Sequence, residues 1–208
     1  MKKLILSIAV LTGLAFSSQA QTEKGKWILG GSASYESVKS DASNSKAVEN
    51  FSIVPNVGYF ISDNIALGTG LGYQYTNIGV ASGALIAGQT EAFVVAPFGR
   101  VYVPIAEKFA FFGQAQVPLA FGTAKETDAD GKSGDKIGNS TAIGVVLSPG
   151  FTYFPSKKIG IEFAFKGISY NNLKVEDANN NTVKGAGNDS FAIGTDFFAP
   201  QIGVQFYF

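Results

Sequence analysis

Apolar residues in this chain alternate one for one with small or polar residues over eight separate segments, a period that suits strands and not helices. Between Gly25 and Glu36 one face reads Trp27, Leu29, Gly31, Ala33, Tyr35 and the other Ile28, Gly30, Ser32, Ser34, Glu36. The pattern returns in Glu49–Phe60, Ile65–Tyr75, Glu91–Val103, Phe109–Thr123, Thr141–Phe154, Ile159–Tyr170 and a last segment from Phe198 to the terminal Phe208. Most are longer than the roughly 9 to 11 residues that a tilted strand needs to cross a bilayer. The spread of aromatics explains how 46% hydrophobic content coexists with the lack of any long apolar run after residue 20.

The connections alternate in length. Ile61–Asn64, Pro104–Lys108 and Pro155–Lys158 are tight turns, whereas Ser37–Val48, Thr76–Gln89, Lys125–Ser140 and Asn171–Asp189 are long and mostly polar. Short turns on one side and long loops on the other define an all-β, closed antiparallel up-and-down transmembrane β-barrel of about eight strands, with the long loops outside the cell. A soluble barrel with an apolar cavity would carry Lys and Glu on its polar face. Here that face is mainly Gly, Ser, Thr, Gln and Ala, which suit a narrow eight-stranded interior. The apolar face therefore points outward to lipid. Aromatics mark two girdles on it: Trp27, Tyr59, Phe109, Tyr153 and Phe208 at the periplasmic ends, and Tyr35, Phe51, Tyr73, Phe93 and Phe121 toward the other ends.

Ahead of the first strand, Met1-Lys2-Lys3 is followed by a 13-residue, mostly apolar run from Leu4 to Phe16 and by Ser17-Ser18-Gln19-Ala20. That is the layout of an export signal cleaved after Ala20, and the run is too short to span a membrane as a helix. The expected organisation is a signal peptide over 1–20 and one barrel domain over 21–208. The mature chain has 14 basic and 16 acidic residues, a net charge of −2, and gives no footprint for nucleic acid. Cysteine is absent, which excludes disulfides, thiolate metal sites and a lipoprotein anchor.

Pro55, Pro97, Pro149 and Pro200 recur on the apolar face of alternate strands, a spacing that hairpin duplication explains. Proline removes a ladder hydrogen bond, and a bulge at each site would absorb the loss.

The closing Gln201-Ile202-Gly203-Val204-Gln205-Phe206-Tyr207-Phe208, together with Pro55-Asn56-Val57-Gly58-Tyr59-Phe60 and Gly68 to Tyr73, makes the mature chain resemble the small eight-stranded outer-membrane β-barrel family that includes OmpX and the membrane domain of OmpA. The resemblance implies residence in the outer membrane of a Gram-negative-type cell. It also implies lipid and the barrel-insertion machinery as partners, with Phe206 and Phe208 carrying the C-terminal insertion signal. No periplasmic cell-wall-binding domain is present in the chain, so that tether is not carried over.

The sequence has no histidine. Barrel hydrolases of this membrane resemble one another in using a histidine base, so neither an enzyme nor a cofactor is expected here. Three charges fall on the inward face, Arg100, Glu162 and Lys166. With Gln114, Gln116 and Gln205 they are expected to form a polar network in the lumen, because unpaired charges in a narrow interior are costly. That network is either a structural plug or the gate of a small pore. Ile78, Val80, Leu85 and Ile86 give the second loop an apolar patch, either a binding surface for an extracellular ligand or protein or an extension of the strands above the membrane. Asp128, Asp130, Gly131 and Asp135 resemble a calcium loop but Asn139 stands where its closing glutamate belongs, leaving a solvated loop. The expected function is a non-enzymatic outer-membrane barrel acting structurally or through its loops; the alternative is a narrow channel or transporter for small or apolar solutes.

Overall fold

The computed structural model describes residues 21–39, 47–78, 88–127, 133–194 and 201–208. They form eleven strand segments: β1 (Trp27–Val38), β2 (Val48–Ser62), β3 (Ile65–Ile78), β4 (Gly88–Ala106), β5 (Phe109–Gln116), β6 (Leu119–Thr127), β7 (Ser133–Ser156), β8 (Ile159–Ala164), β9 (Ile168–Asp177), β10 (Asn188–Ile193) and β11 (Gln201–Tyr207). The segments β5 and β6 continue one wall strand across Val117-Pro118, and β8 and β9 continue another across 165–167. With β10 and β11 making the last, eight antiparallel strands close into a barrel. Closure runs through β11, which pairs with β8 on one side and with β1 on the other.

Burial fixes the orientation that alternation implies. Outward residues such as Trp27, Leu29, Leu67, Phe93, Val101, Phe121, Ile143 and Val145 are exposed, while Ile28, Phe60, Ala66, Val94, Ala96, Phe98, Tyr102, Ala110, Phe112, Phe154 and Tyr207 are buried inside. A soluble protein would not present so continuous an apolar belt; a bilayer is the solvent that accepts it. On the belt, directly opposed aromatics pack across strands. Trp27 and Tyr59 have centroids 5.0 Å apart, Phe109 and Tyr153 4.8 Å, and Phe111 and Phe151 4.3 Å. Such pairs are worth about 0.5–1.5 kcal/mol each beyond their area.

Short turns join the strands at the end near the chain termini. At the first of them Asn64 takes φ 64°, a left-handed conformation that asparagine tolerates better than most residues. The residues before β1 fold against this turn: the Thr22 hydroxyl donates to Asn64 Oδ1 at 2.6 Å, Asn64 N–H to the Thr22 carbonyl at 2.7 Å, and Lys24 N–H to Asp63 Oδ1 at 2.9 Å. Gln21 and Thr22 are buried there.

Several strands run further outward than their apolar pattern. β7 begins at Ser133, β9 extends to Asp177, and β10 occupies Asn188–Ile193, so parts of the two long loops expected at 125–140 and 171–189 are ladder. Polar side chains dominate these extensions, and the hydrogen-bonded ladder continues without an apolar face.

The prolines behave differently from the expectation of a bulge at each. Pairing of β2 with β3 lapses at Val54-Pro55 and resumes in the same register, and Pro97 stays opposite Thr69 with its register intact. Pro97 instead faces the break between β5 and β6, where its carbonyl still accepts from Val117 N–H at 3.0 Å. Only beside Pro149 is there an extra residue, and it lies in the neighbouring strand: 165–167 oppose two residues of β7, with Phe165 N–H bonded to the Pro149 carbonyl at 2.9 Å. A missing donor needs only a two-residue gap in the ladder, which is cheaper than shifting a whole register. Pro200 lies outside the described residues.

Candidate functional site in the barrel lumen

The even-numbered residues of β4 and β8 bring Arg100 and Glu162 face to face inside the barrel. Arg100 Nη1 lies 2.6 Å from Glu162 Oε1, and both side chains are almost wholly buried, at 6% and 5% exposure. Arg100 Nε donates to Gln114 Oε1 at 2.8 Å and Gln114 Nε2 to Gln116 Oε1 at 3.1 Å, which chains the two glutamines of β5 onto the pair. The same carboxylate oxygen accepts from Tyr207 at 3.2 Å and from Tyr102 and Thr152 at 3.4 Å each, and the Tyr102 and Tyr207 hydroxyls are 3.0 Å apart. Arg100 Nη1 also donates to Tyr102 at 2.9 Å. The guanidinium stacks over the Phe112 ring at 4.5 Å, where the negative face of the ring adds to its stabilisation. A charge pair in a low-dielectric interior persists only when its remaining hydrogen-bonding capacity is met, and these neighbours meet much of it.

Below the ion pair, toward the short turns, the lumen is filled by Ile28, Phe60, Ala66, Tyr102, Ala110, Phe112, Phe154 and Tyr207, which pack as one cluster. Phe60 and Tyr102 have centroids 5.7 Å apart, and Phe154 and Tyr207 5.3 Å. Glycines on neighbouring strands admit these rings: a Cβ on Gly150 would overlap Phe112, and one on Gly68 would overlap Phe98 and the Val57 carbonyl. Above the pair the described residues leave the lumen hollow. A cavity of about 120 Å³ is bounded by Arg100, Glu162, Gln114, Asn56 and Gln205, and one of about 490 Å³ lies among Ser32, Ser52, Gln74, Val94, Gln116 and Val146.

Not every residue of the expected network joins it. Lys166 is exposed at the 165–167 break, because the extra residue there ends the alternation that would have turned it inward. Gln205 is buried in the lumen wall, but its side-chain oxygen accepts no hydrogen bond among the described residues. Tyr102, Tyr207 and Thr152 belong to the network and were not singled out from sequence; the hint was that their hydroxyls fall on the same inward face as Arg100 and Glu162. At the chain end, Phe206 stands opposite Leu29, and Phe208 exchanges two 3.0 Å backbone hydrogen bonds with Trp27, so both aromatics lie on the lipid-facing side of the closing strand. In the loop patch, Ile78 ends β3, with its backbone opposite Gly88. Val80, Leu85 and Ile86 lie outside the described residues, as do Asp128, Asp130 and Gly131 of the acidic loop.

A family model described as an outer membrane protein beta-barrel domain matches residues 6–205. Among solved structures, Neisserial surface protein A (NspA) is similar with a TM-score of 0.50 at 14% identity, over 88% of this chain and 97% of that one. Ail, the attachment invasion locus protein of Yersinia pestis, aligns with a TM-score of 0.39 at 15% identity, over 89% of this chain and 99% of that one. No curated protein sequence matches.

Proposed function

The chain belongs to the outer membrane protein β-barrel domain family, and from that premise we propose that it is a non-conducting, non-enzymatic outer-membrane barrel that serves as a structural element and as a carrier of extracellular loops. The observation that carries this is the filled lower lumen: an ion pair anchored by four further side chains, resting on a cluster of rings. Movement of a solute past it requires separating a buried charge pair, which costs several kcal/mol. The absence of histidine from the sequence supports a role without hydrolytic chemistry. Export by a signal cleaved after Ala20, insertion through the terminal strand with Phe206 and Phe208, and engagement of an extracellular protein or ligand by the loops are parts of the same proposal. Mass determination of the mature protein tests the first of these, with Gln21 as the expected terminus.

Planar-bilayer recording tests the main claim: the purified protein should give no unitary conductance. The alternative, a small pore gated by Arg100 and Glu162, is favoured by the hollow upper lumen that ends at this pair. Glu162→Gln separates the two. A folded, heat-modifiable variant that stays silent supports the structural plug; a folded variant that gains conductance supports the gate.

A further inference from the structure

The lipid-facing belt is indented where two glycines fall in its outward phase. Gly113 of β5 stands between Val101 and Pro149 of the neighbouring strands, and Gly99 of β4 between Leu67 and Ala115. They leave a groove of about 580 Å³ on the outside of the wall, with Leu67, Val101, Leu147 and Pro149 at its sides. Arg100 and Gln114 also border it, but their side chains are bonded to each other, and Arg100 to Glu162, inside the lumen. The strands that form the groove, β3, β4, β5 and β7, are bonded on both sides at this level by described residues.

Neither glycine answers a need of the protein itself. A Cβ on Gly113 would meet no atom within 4 Å, and one on Gly99 would touch Leu67 Cδ2 at an ordinary 3.4 Å. Register runs unbroken from Phe98 to Pro104 between β4 and β5, and from Phe109 to Gln116 between β5 and β7, so no bulge calls for them. Inward glycines differ, since Gly68 and Gly150 make room for the Phe98 and Phe112 rings. Glycine inside a strand costs stability, and where no bulge needs it, it marks a surface that something else approaches closely.

Charge indicates what approaches. At the foot of these strands the short turns 104–108 and 155–158 hold Lys108, Lys157 and Lys158 against a single carboxylate, Glu107. The two turns abut: Phe154 N–H donates to the Lys108 carbonyl at 2.8 Å, and Phe109 stands opposite Tyr153. All three lysines are exposed, and none forms an ion pair among the described residues. Lys108 is five residues from Gly113, about 17 Å of strand. A tilt of about 40° makes that about 13 Å of depth. An acyl chain of one leaflet covers about half of the roughly 30 Å hydrocarbon core, so a headgroup at these turns brings its chain to the groove. The Phe109–Tyr153 and Phe111–Phe151 pairs lie along the way.

We propose that this groove and the lysines beneath it hold one anionic phospholipid of the inner leaflet, its phosphate at Lys108, Lys157 and Lys158 and an acyl chain over Gly113 and Gly99. Basic side chains at the membrane surface attract anionic lipid. A second copy of the chain fits less well, because a two-fold axis along the membrane normal would set the same lysines against one another. The site is on the outside of the wall and stands whether or not the lumen conducts.

The test uses the full mature protein in phosphatidylcholine nanodiscs containing a small fraction of phosphatidylglycerol with a diazirine on its acyl chain. After irradiation, label is expected on Leu67, Val101 and Leu147 in excess over the comparably exposed Leu29, Ile143 and Val204. The same diazirine on phosphatidylcholine should give roughly fivefold less excess. Gly113→Leu, which fills the groove, should abolish the excess for both probes. Lys108→Gln/Lys157→Gln/Lys158→Gln should lower phosphatidylglycerol to the phosphatidylcholine level and leave the groove intact. Heat-modifiability checks that each variant is folded, and the turn substitutions keep the test available should the strand substitution fail to fold. Label spread evenly around the belt would overturn the proposal, as would equal excess from the two probes in the native protein. The chain has no cysteine of its own, so disulfide-linked dimers of Val101→Cys in proteoliposomes would overturn it in favour of a second copy.

Discussion

The lower and upper halves of this lumen are built from the same eight strands and the same alternation, yet one is filled and the other hollow. In the lower half the inward positions hold Phe60, Tyr102, Phe112, Phe154 and Tyr207 around a buried ion pair. In the upper half they hold Ser32, Ser52, Gln74, Val94 and Ala96, and cavities remain. An eight-stranded barrel encloses a nearly constant cross-section, so residue volume alone decides whether a given level is plugged. The comparison teaches that the polar face of such a chain has to be read level by level: its mean composition is small and polar, but its bulk is concentrated at one end.

The difference can be broken most severely at the ion pair. Glu162→Leu leaves Arg100 buried without its counter-charge and should cost about 3–5 kcal/mol in denaturant unfolding followed by heat-modifiability. Adding Arg100→Met should recover most of that loss, because replacing both charges removes the desolvation problem with the attraction. Next comes Gly68→Ala, whose Cβ overlaps Phe98 and the Val57 carbonyl; it should cost about 1–3 kcal/mol by the same assay. Tyr207→Phe removes hydrogen bonds to Tyr102 and Glu162 without changing shape and should cost about 1.5 kcal/mol. In the hollow half, Ser52→Ala should stay within about 0.5 kcal/mol of the native protein, and a cost equal to that of Tyr207→Phe would show that the upper lumen is packed after all.

The smallest effect lies above both halves, in the turn after β9. Hydrogen bonds to Asp177 from the Asn181 backbone amide first, and also from the Asn181 side chain and the Asn179 amide, hold its carboxyl below the usual range. A lowered folded value means the contribution is complete above the ordinary carboxylate range, near pH 4, and is lost as pH falls through the lowered one. Amide exchange at Asn179 and Asn181, corrected for intrinsic rates, should therefore accelerate only in acid, while amides flanking Glu162 remain protected.

The strands were legible because lipid outside and a narrow lumen inside both penalise a residue on the wrong face, so each of the eight segments carries the pattern. Their outer extensions were not, since Ser133–Gly138 and Asn171–Asp177 meet water on the outside and no longer need an apolar face. Arg100 and Glu162 could be paired from their levels above the turns. Lys166 could not be placed, because a single extra residue at 165–167 reverses the phase and alternation in one strand does not report the register of its neighbour. Gln205 lay on the right face, but its lack of a donor is a matter of ångströms around Gly30 and has no signature in sequence.

A chain without cysteine allows the contrast between the two halves to be measured one position at a time. Single cysteines at Ser34 and Gln74 in the upper lumen, and at Ala66 and Ala110 in the lower, can be exposed to a bulky, membrane-impermeant maleimide added to the outside of intact proteoliposomes. The account predicts rapid modification of Ser34→Cys and Gln74→Cys and protection of Ala66→Cys and Ala110→Cys until the barrel is unfolded. Comparable rates at all four positions would contradict it.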